Sequence, residues 1–266
     1  MERIEFIGGP ATGKSTLYFE MLKNRTDEDS FRSVTEVKKE IALTHQSNLA
    51  KNKLDKLFYL FLKMDLFKDR HHFMIDHLLR TVVPDILHTQ LSDYDFFFKI
   101  LIKHMADSGK LSPSTQTAII DFYYKIIVKD VALLDFFDVK DTVIYEEGII
   151  HNNEGMIDPF NYLTDLDHSP FRKDHLHPAC VIHCDLDIDL YYERRIARIE
   201  KGHGIFLDKH LTRDELYTEC LDALNEGRKK TELMEKLNIP LLRLDMATPI
   251  EDNTFKALNF IRSTLH

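Results

Sequence analysis

The sequence predicts an α/β protein, a three-layer sandwich of helices around a parallel sheet, with a large helical block inserted into it. Three observations predict this class. Short apolar runs typical of buried parallel strands recur at "DTVIYEEG" (141–148), "ACVIHCDL" (179–186) and "IPLLRLDM" (239–246). Helical segments separate the last two runs. The chain opens with strand-compatible residues, Arg3 to Phe6, that lead through a glycine-rich loop into the helix-like "STLYFEMLKN".

In chain order, the first strand and helix are followed by "FRSVTEV" (31–37), a short second strand. Residues 38–138 then carry helical signals. Leu54, Leu57, Phe58, Phe61 and Met64 recur at three-to-four spacing, Pro84 interrupts "LLRTVVPDIL", and Gly109 marks a helix stop after "FFFKILIKHMAD". Ser112 and Pro113 open the next helix. After the third and fourth strands, "DLYYERRIARIEK" is a helix stopping at Gly202. Thr212 with Glu215 forms a capping box for a helix reaching about Leu237, and Thr248, Pro249 and Glu251 start the last helix. The expected organisation is therefore a core of residues 1–37 and 139–266, with 38–138 as a helical insertion.

Composition narrows the function classes. With 266 residues, 44% of them hydrophobic, the chain can bury one substantial core with an appended subdomain. A net charge of −9 argues against general nucleic-acid binding, because that field repels phosphate backbones outside a local basic pocket. Cys180, Cys184 and Cys220 are an odd set without disulfide-scaffold spacing, and the first residues lack a signal-peptide pattern, so a reducing cytoplasm is the expected compartment. The most apolar segment, "LFYLFLKMDLF" (57–67), is broken by Lys63 and Asp65 and is short of the roughly 20 residues of a bilayer span, so no membrane partner is expected.

The informative motif is "FIGGPATGKST" at residues 6–16. Gly8, Gly13, Lys14 and Ser15 satisfy the phosphate-loop pattern G-x-x-x-x-G-K-[ST], in the strand-to-helix context the pattern requires. Residues Gly8, Gly9, Pro10, Ala11, Thr12, Gly13, Lys14, Ser15 and Thr16 are the expected nucleotide cradle. Backbone N–H groups and a helix N-terminus converge on an anion there, Lys14 reaches the β and γ phosphates, and Ser15 offers its hydroxyl to magnesium. A plain glycine turn has no use for a Lys-Ser pair at this spacing.

A phosphate loop alone does not separate switch GTPases, motor ATPases and small-molecule kinases. "NKLD", Asn52 to Asp55, matches a guanine-specifying string, but it lies inside a helical pattern with no apolar strand before it, which marks it as a chance match. More informative is the helix bearing Arg194, Arg195 and Arg198, whose spacing projects guanidiniums from adjacent faces of one helix end. Guanidinium suits the delocalised charge of a transferring phosphoryl group, so a lid is expected; a solvated surface paired with Glu193 and Glu200 is the bland alternative. At "YEEGII" the third strand delivers Glu146 and Glu147 to the end of the sheet where ligands sit, to hold a magnesium-bound water or to act as base. Strand alternation lets one of them face the site, and Gly148 favours Glu147 by permitting close approach of a ligand. Cys180, His183 and Cys184 sit on opposite strand faces, poor geometry for a shared metal, and His71 and His72 are expected at the surface.

On these residues the chain resembles the P-loop kinases of small molecules, above all the deoxynucleoside and thymidylate kinase branch. The resemblance rests on "FIGGPATGKST", "VTE", "YEEG", "ERRIARIEKG" and "LRLDMATPIEDN", and leaves the 38–138 block unassigned. It implies a five-stranded parallel sheet of order 2-3-1-4-5, ATP and magnesium as cofactors, an arginine lid after the fourth strand, and adenine near the loop after the fifth. It implies that Lys14 neutralises the transferring phosphate, that Ser15, with Glu146 or Glu147, serves the metal, and that Arg194, Arg195 and Arg198 serve the phosphates. It also sets Glu36 to face the acceptor hydroxyl as base, although Val37 follows where that family has proline. The helical block stands where such kinases bind the acceptor. A nucleoside or nucleotide leads, a sugar or other metabolite hydroxyl comes next, and a nucleotide-binding regulator without transfer remains open.

Overall fold

The computed structural model describes residues 1–27, 29–45, 49–107, 112–152, 176–203 and 211–265. Five strands, β1 (Glu2–Ile7), β2 (Phe31–Ser33), β3 (Thr142–Tyr145), β4 (Cys180–Asp185) and β5 (Leu241–Asp245), form one parallel sheet of order β2-β3-β1-β4-β5. The fold class and strand order expected above are those observed. Among the described residues no helix is long and apolar enough to cross a membrane.

The chain divides into two compact units, one of Met1–Glu2 with Phe31–Ile144 and one of Arg3–Ser30 with Tyr145–His266. The cut differs from the boundaries read at 37/38 and 138/139, because β2 and most of β3 cluster with the helical block. In that first unit β2 pairs with β3 in the register Phe31↔Thr142 to Ser33↔Ile144. The second strand is three residues long, not seven, for a local reason. Ser33 caps helix α2 (Val34–Thr44), its hydroxyl accepting from the Glu36 N–H while the Glu36 carboxylate accepts from the Ser33 N–H and hydroxyl, at 2.8 and 2.9 Å. This reciprocal box turns "VTEV" from strand into helix.

Helices α3 (Lys53–Lys63), α4 (His71–Leu79), α5 (Val83–Thr89), α6 (Asp95–Asp107), α7 (Pro113–Ile126) and α8 (Leu133–Phe136) follow, with a π-helical segment at Ile127–Ala132. Pro84 lies in the first turn of α5, where its missing N–H costs nothing, and Pro113 opens α7. Gly109 lies outside the described residues. The unit's core is built from Leu62, Ile75, Leu78, Ile86, Phe97, Val131 and Leu134. Buried Lys38 is neutralised within it by Asp76 at 2.8 Å and Asp130 at 3.1 Å. "NKLD" has a structural job: Asn52 caps α3, and Asp55 closes the box and accepts from His77 Nε2–H at 3.0 Å. His71, read as a surface residue, is buried and within 2.9 Å of the Leu66 carbonyl, whereas His72 is exposed.

The second unit holds β1, helix α1 (Lys14–Asn24), β4, α9 (Ile188–Glu200), α10 (Arg213–Lys236), β5 and α11 (Ile250–Leu265). Its strands pair in parallel, Ile4↔Cys180 to Ile7↔His183 and Val181↔Leu241 to Asp185↔Asp245. Phe6, Leu17, Met21, Ile182, Leu244 and Ile261 fill the space between sheet and helices. Thr212 and Glu215 form the expected capping box at the start of α10. Arg262 grips Asp29 with two hydrogen bonds of 2.7 and 2.8 Å, which hold the Asp29 carboxyl below the usual carboxylate range.

Candidate functional site

The second unit contains the phosphate-loop motif, and its strand order decides what surrounds it. β1 ends at Ile7 and α1 begins at Lys14, so the loop is a tight strand-to-helix crossing. Ala11 has φ 70° and Gly13, the residue before the helix, has φ 104°; at Gly13 any side chain would be strained. Two other glycines answer to neighbours. A Cβ on Gly8 would stand 2.6 Å from the Cys184 carbonyl oxygen, and one on Gly9 would fall on the Tyr191 hydroxyl. The Thr12 hydroxyl donates to the Gly9 carbonyl at 2.9 Å and closes the loop on itself.

Lys14 is 6% exposed, and its ammonium donates to the carbonyls of Gly8 and Gly9 at 2.6 and 3.0 Å. Burial pushes its pKa down from the ordinary lysine value, while the charges of Glu147 and Glu146 oppose that shift. Ser15 donates its hydroxyl to the Glu146 carboxylate. Pro10, Ala11 and Gly13 to Thr16 line one side of a cavity of about 340 Å³; Glu146, Glu147 and Arg198 line the other. Six of the nine loop residues line this cavity, all but Gly8, Gly9 and Thr12; its charges are those of Lys14, Glu146, Glu147 and Arg198.

The acidic pair lies past the end of β3, in a bend, so strand alternation does not choose between its members. Both carboxylates line the cavity, and Glu146, not Glu147, holds Ser15. Glu147 lies 3.7 Å from His151, whose pKa burial, then Lys14 and Lys230, push well below its usual value. That imidazole is neutral at pH 7, and the contact is no ion pair. Gly148 is glycine for a different reason than ligand access: a Cβ there would fall on the carboxyl group of Glu5.

Glu5 is the residue the motif reading missed. It is wholly buried in β1, accepts from Arg3 Nε at 2.9 Å, and accepts from the Ile150 N–H at 2.7 Å. One carboxylate thereby ties the acidic bend to the strand that carries the phosphate loop. The signal was present in "ERIEFI", where Arg3 and Glu5 alternate with Ile4 and Phe6: two charges two residues apart on one face of an interior strand call for pairing.

The three arginines face different ways. Arg198 lines the cavity and donates through Nε to the His203 carbonyl at 2.8 Å. Arg194 donates to the Met246 carbonyl at 3.0 Å, in the turn after β5. Arg195 is 3% exposed, with Nη1 at 3.5 Å from the Tyr191 hydroxyl and 4.0 Å from Cys220 Sγ. Among the described residues the helix thus brings one arginine, Arg198, to the cavity. Glu36 belongs to the other unit, where its carboxylate serves the Ser33 cap.

Cys184 and His183 point to opposite faces of β4, as alternation requires. Burial raises the Cys184 thiol to about 12 despite nearby Lys14. His183 lies against α10, where a Cβ on Gly227 would stand 3.1 Å from its Nε2. Burial lowers its pKa to about 4, with Asp185 opposing and Arg243 and Arg228 assisting. The sign follows: an unfolded histidine binds a proton near pH 6.5, whereas this one stays neutral, so its contribution is fully present above about 6.5 and is lost as pH falls toward 4. At pH 5 the loss is roughly 2 kcal/mol. Thermal unfolding at pH 7 and pH 5 should show it, with a smaller pH effect in His183→Gln; an identical pH effect in that variant would reject the assignment.

No family model matches this chain, and a search of curated proteins returns no match.

Proposed function

We propose that this protein is an ATP-dependent kinase that transfers the γ-phosphoryl group to a hydroxyl of a small molecule, with a nucleoside or nucleotide as the leading acceptor class. The observation that carries the proposal is the single cavity bounded by Lys14, Ser15, Glu146, Glu147 and Arg198. It joins a buried ammonium, a hydroxyl, two carboxylates and a guanidinium around space of phosphate dimensions. In this reading Lys14 exchanges its loop carbonyls for phosphate oxygens, and Arg198 meets the charge that develops on the γ-phosphoryl group. The acceptor oxygen bonds to the γ phosphorus as the bond to the β–γ bridging oxygen breaks, ADP leaves, and a carboxylate of the acidic pair takes the acceptor proton.

Magnesium fits this donor set, since Ser15 and Glu146 present oxygen ligands of the hard type it prefers. It would be held by those two residues and would supply charge neutralisation for the β and γ phosphates. Glu36 fits the base role less well, because taking a proton from an acceptor would compete with its hydrogen bonds to Ser33.

The test is an acceptor screen with ATP and magnesium over nucleosides, nucleoside monophosphates and sugars, with identification of the phosphorylated product. A phosphorylated nucleoside or nucleotide is expected, and Arg198→Ala should lower its kcat by about 10- to 100-fold with ATP affinity little changed. Sugar phosphorylation with every nucleoside inert would overturn the acceptor class. ATP hydrolysis without any phosphorylated acceptor would overturn the kinase reading in favour of an NTPase.

A further inference from the structure

The acidic bend is held by charge from two sides. On one, the Glu5 carboxylate of β1 accepts from the Ile150 N–H at 2.7 Å. On the other, Lys230 of α10 donates its ammonium to the His151 carbonyl at 2.6 Å. Adjacent residues are thus gripped by an anion at an N–H and by a cation at a C=O, each matched to the sign of the backbone dipole it meets. Both charges are out of water, Glu5 wholly and Lys230 at 5% exposure. Asn152 closes the turn by donating through Nδ2 to the Gly148 carbonyl at 2.8 Å, and Gly148 is pressed against Glu5. A neutral donor such as that asparagine suffices to close a turn. Burying an ammonium for the purpose costs desolvation, and what the charge adds is a bond shorter and roughly twice as strong as a neutral one, hence a fixed position.

We infer, resting on the kinase reading for what the acidic pair does, that Lys230 is a positioning residue for that pair: through the His151 carbonyl it fixes where Glu146 and Glu147 stand in the wall of the cavity. Lys230 is not among the residues that line the cavity, so it acts there through the bend. The chain folds back on itself at this point, and the His151 Nε2 stands 3.7 Å from the Glu147 carboxylate. A shift of the His151 backbone therefore moves the wall behind Glu147, and with it the adjacent Glu146 that takes the Ser15 hydroxyl. Magnesium, assigned above to Ser15 and Glu146, tolerates little displacement of its ligands because it demands near-ideal octahedral geometry. The phosphate loop, by contrast, is closed by its own bonds, from Lys14 to the Gly8 and Gly9 carbonyls and from Thr12 to Gly9, none of which involves Lys230. Loss of the Lys230 ammonium should therefore separate two properties that general loosening would lose together: metal-dependent binding falls, and phosphate binding by the loop stays.

Titration calorimetry of the full chain with ATP, once with magnesium and once with EDTA, tests this. The wild type should bind ATP more tightly with magnesium. In Lys230→Met, which keeps the apolar stem and removes the ammonium, that magnesium-dependent gain should shrink by about 10-fold, the lower end of the loss expected when a group that holds a metal ligand is removed, while affinity in EDTA stays within about twofold. Lys230→Gln, whose amide still offers a donor, should keep part of the gain, and it carries the test if circular dichroism shows Lys230→Met to be unfolded. A full gain in the folded variant, or an equal loss with magnesium and with EDTA, would overturn the inference and leave the kinase reading intact. A wild type whose ATP affinity ignores magnesium would also overturn it, since Lys230 would then have no metal ligand to position. A wild type that binds no ATP in either solution would overturn the kinase reading and this inference with it.

Discussion

In the proposed kinase reading, Lys14→Ala is expected to lower kcat/KM for ATP-dependent transfer by about 10²- to 10³-fold, the loss typical of removing one donor from a charged transition state. The magnitude rests on where the ammonium sits. It is buried in the lining of the cavity and largely stripped of water, so in the proposed reading it exchanges the Gly8 and Gly9 carbonyls for phosphate oxygens with little further desolvation. Calorimetry of ATP binding beside turnover measurements separates the two contributions. ATP affinity and turnover both at the wild-type level would remove Lys14 from the site.

Glu5→Ala should cause the largest loss of stability, about 3–5 kcal/mol, because it breaks a buried charged pair by removing one member. Arg3 Nε loses its carboxylate, and the Ile150 N–H loses its acceptor in the same step. For a chain of this size the midpoint of thermal unfolding should fall by roughly 10 °C. Glu5→Gln keeps an acceptor oxygen and should fall between the two. A melting temperature unchanged in Glu5→Ala would show that the pair contributes nothing net.

The parts of this protein legible in its sequence are those fixed by short-range chemistry. The strand-to-helix loop, four of the five strands and the Thr212–Glu215 box each announce themselves within a few residues, and each lies where that local pattern sets it. Within 31–37 only Phe31 to Ser33 are strand; "VTEV" suits a strand by propensity, but the Ser33–Glu36 exchange of hydrogen bonds outweighs that preference and starts a helix there. Which arginine faces the cavity was not legible, since three residues within five positions of one helix are sorted by what packs against each: Tyr191 and Cys220 at Arg195, Met246 at Arg194. The apolar periodicity of α3 revealed a helix but not the direction it faces, because periodicity records that a face is apolar and says nothing of what covers it.

The phosphate-loop pattern leaves its second position open to any residue, and in this chain that freedom is absent. Position 9 is crowded by the Tyr191 hydroxyl on α9, far along the sequence, on which a Cβ there would fall. A side chain at position 9 therefore requires residue 191 to move or to be smaller. What position 9 can carry is set by a steric contact that no local motif contains.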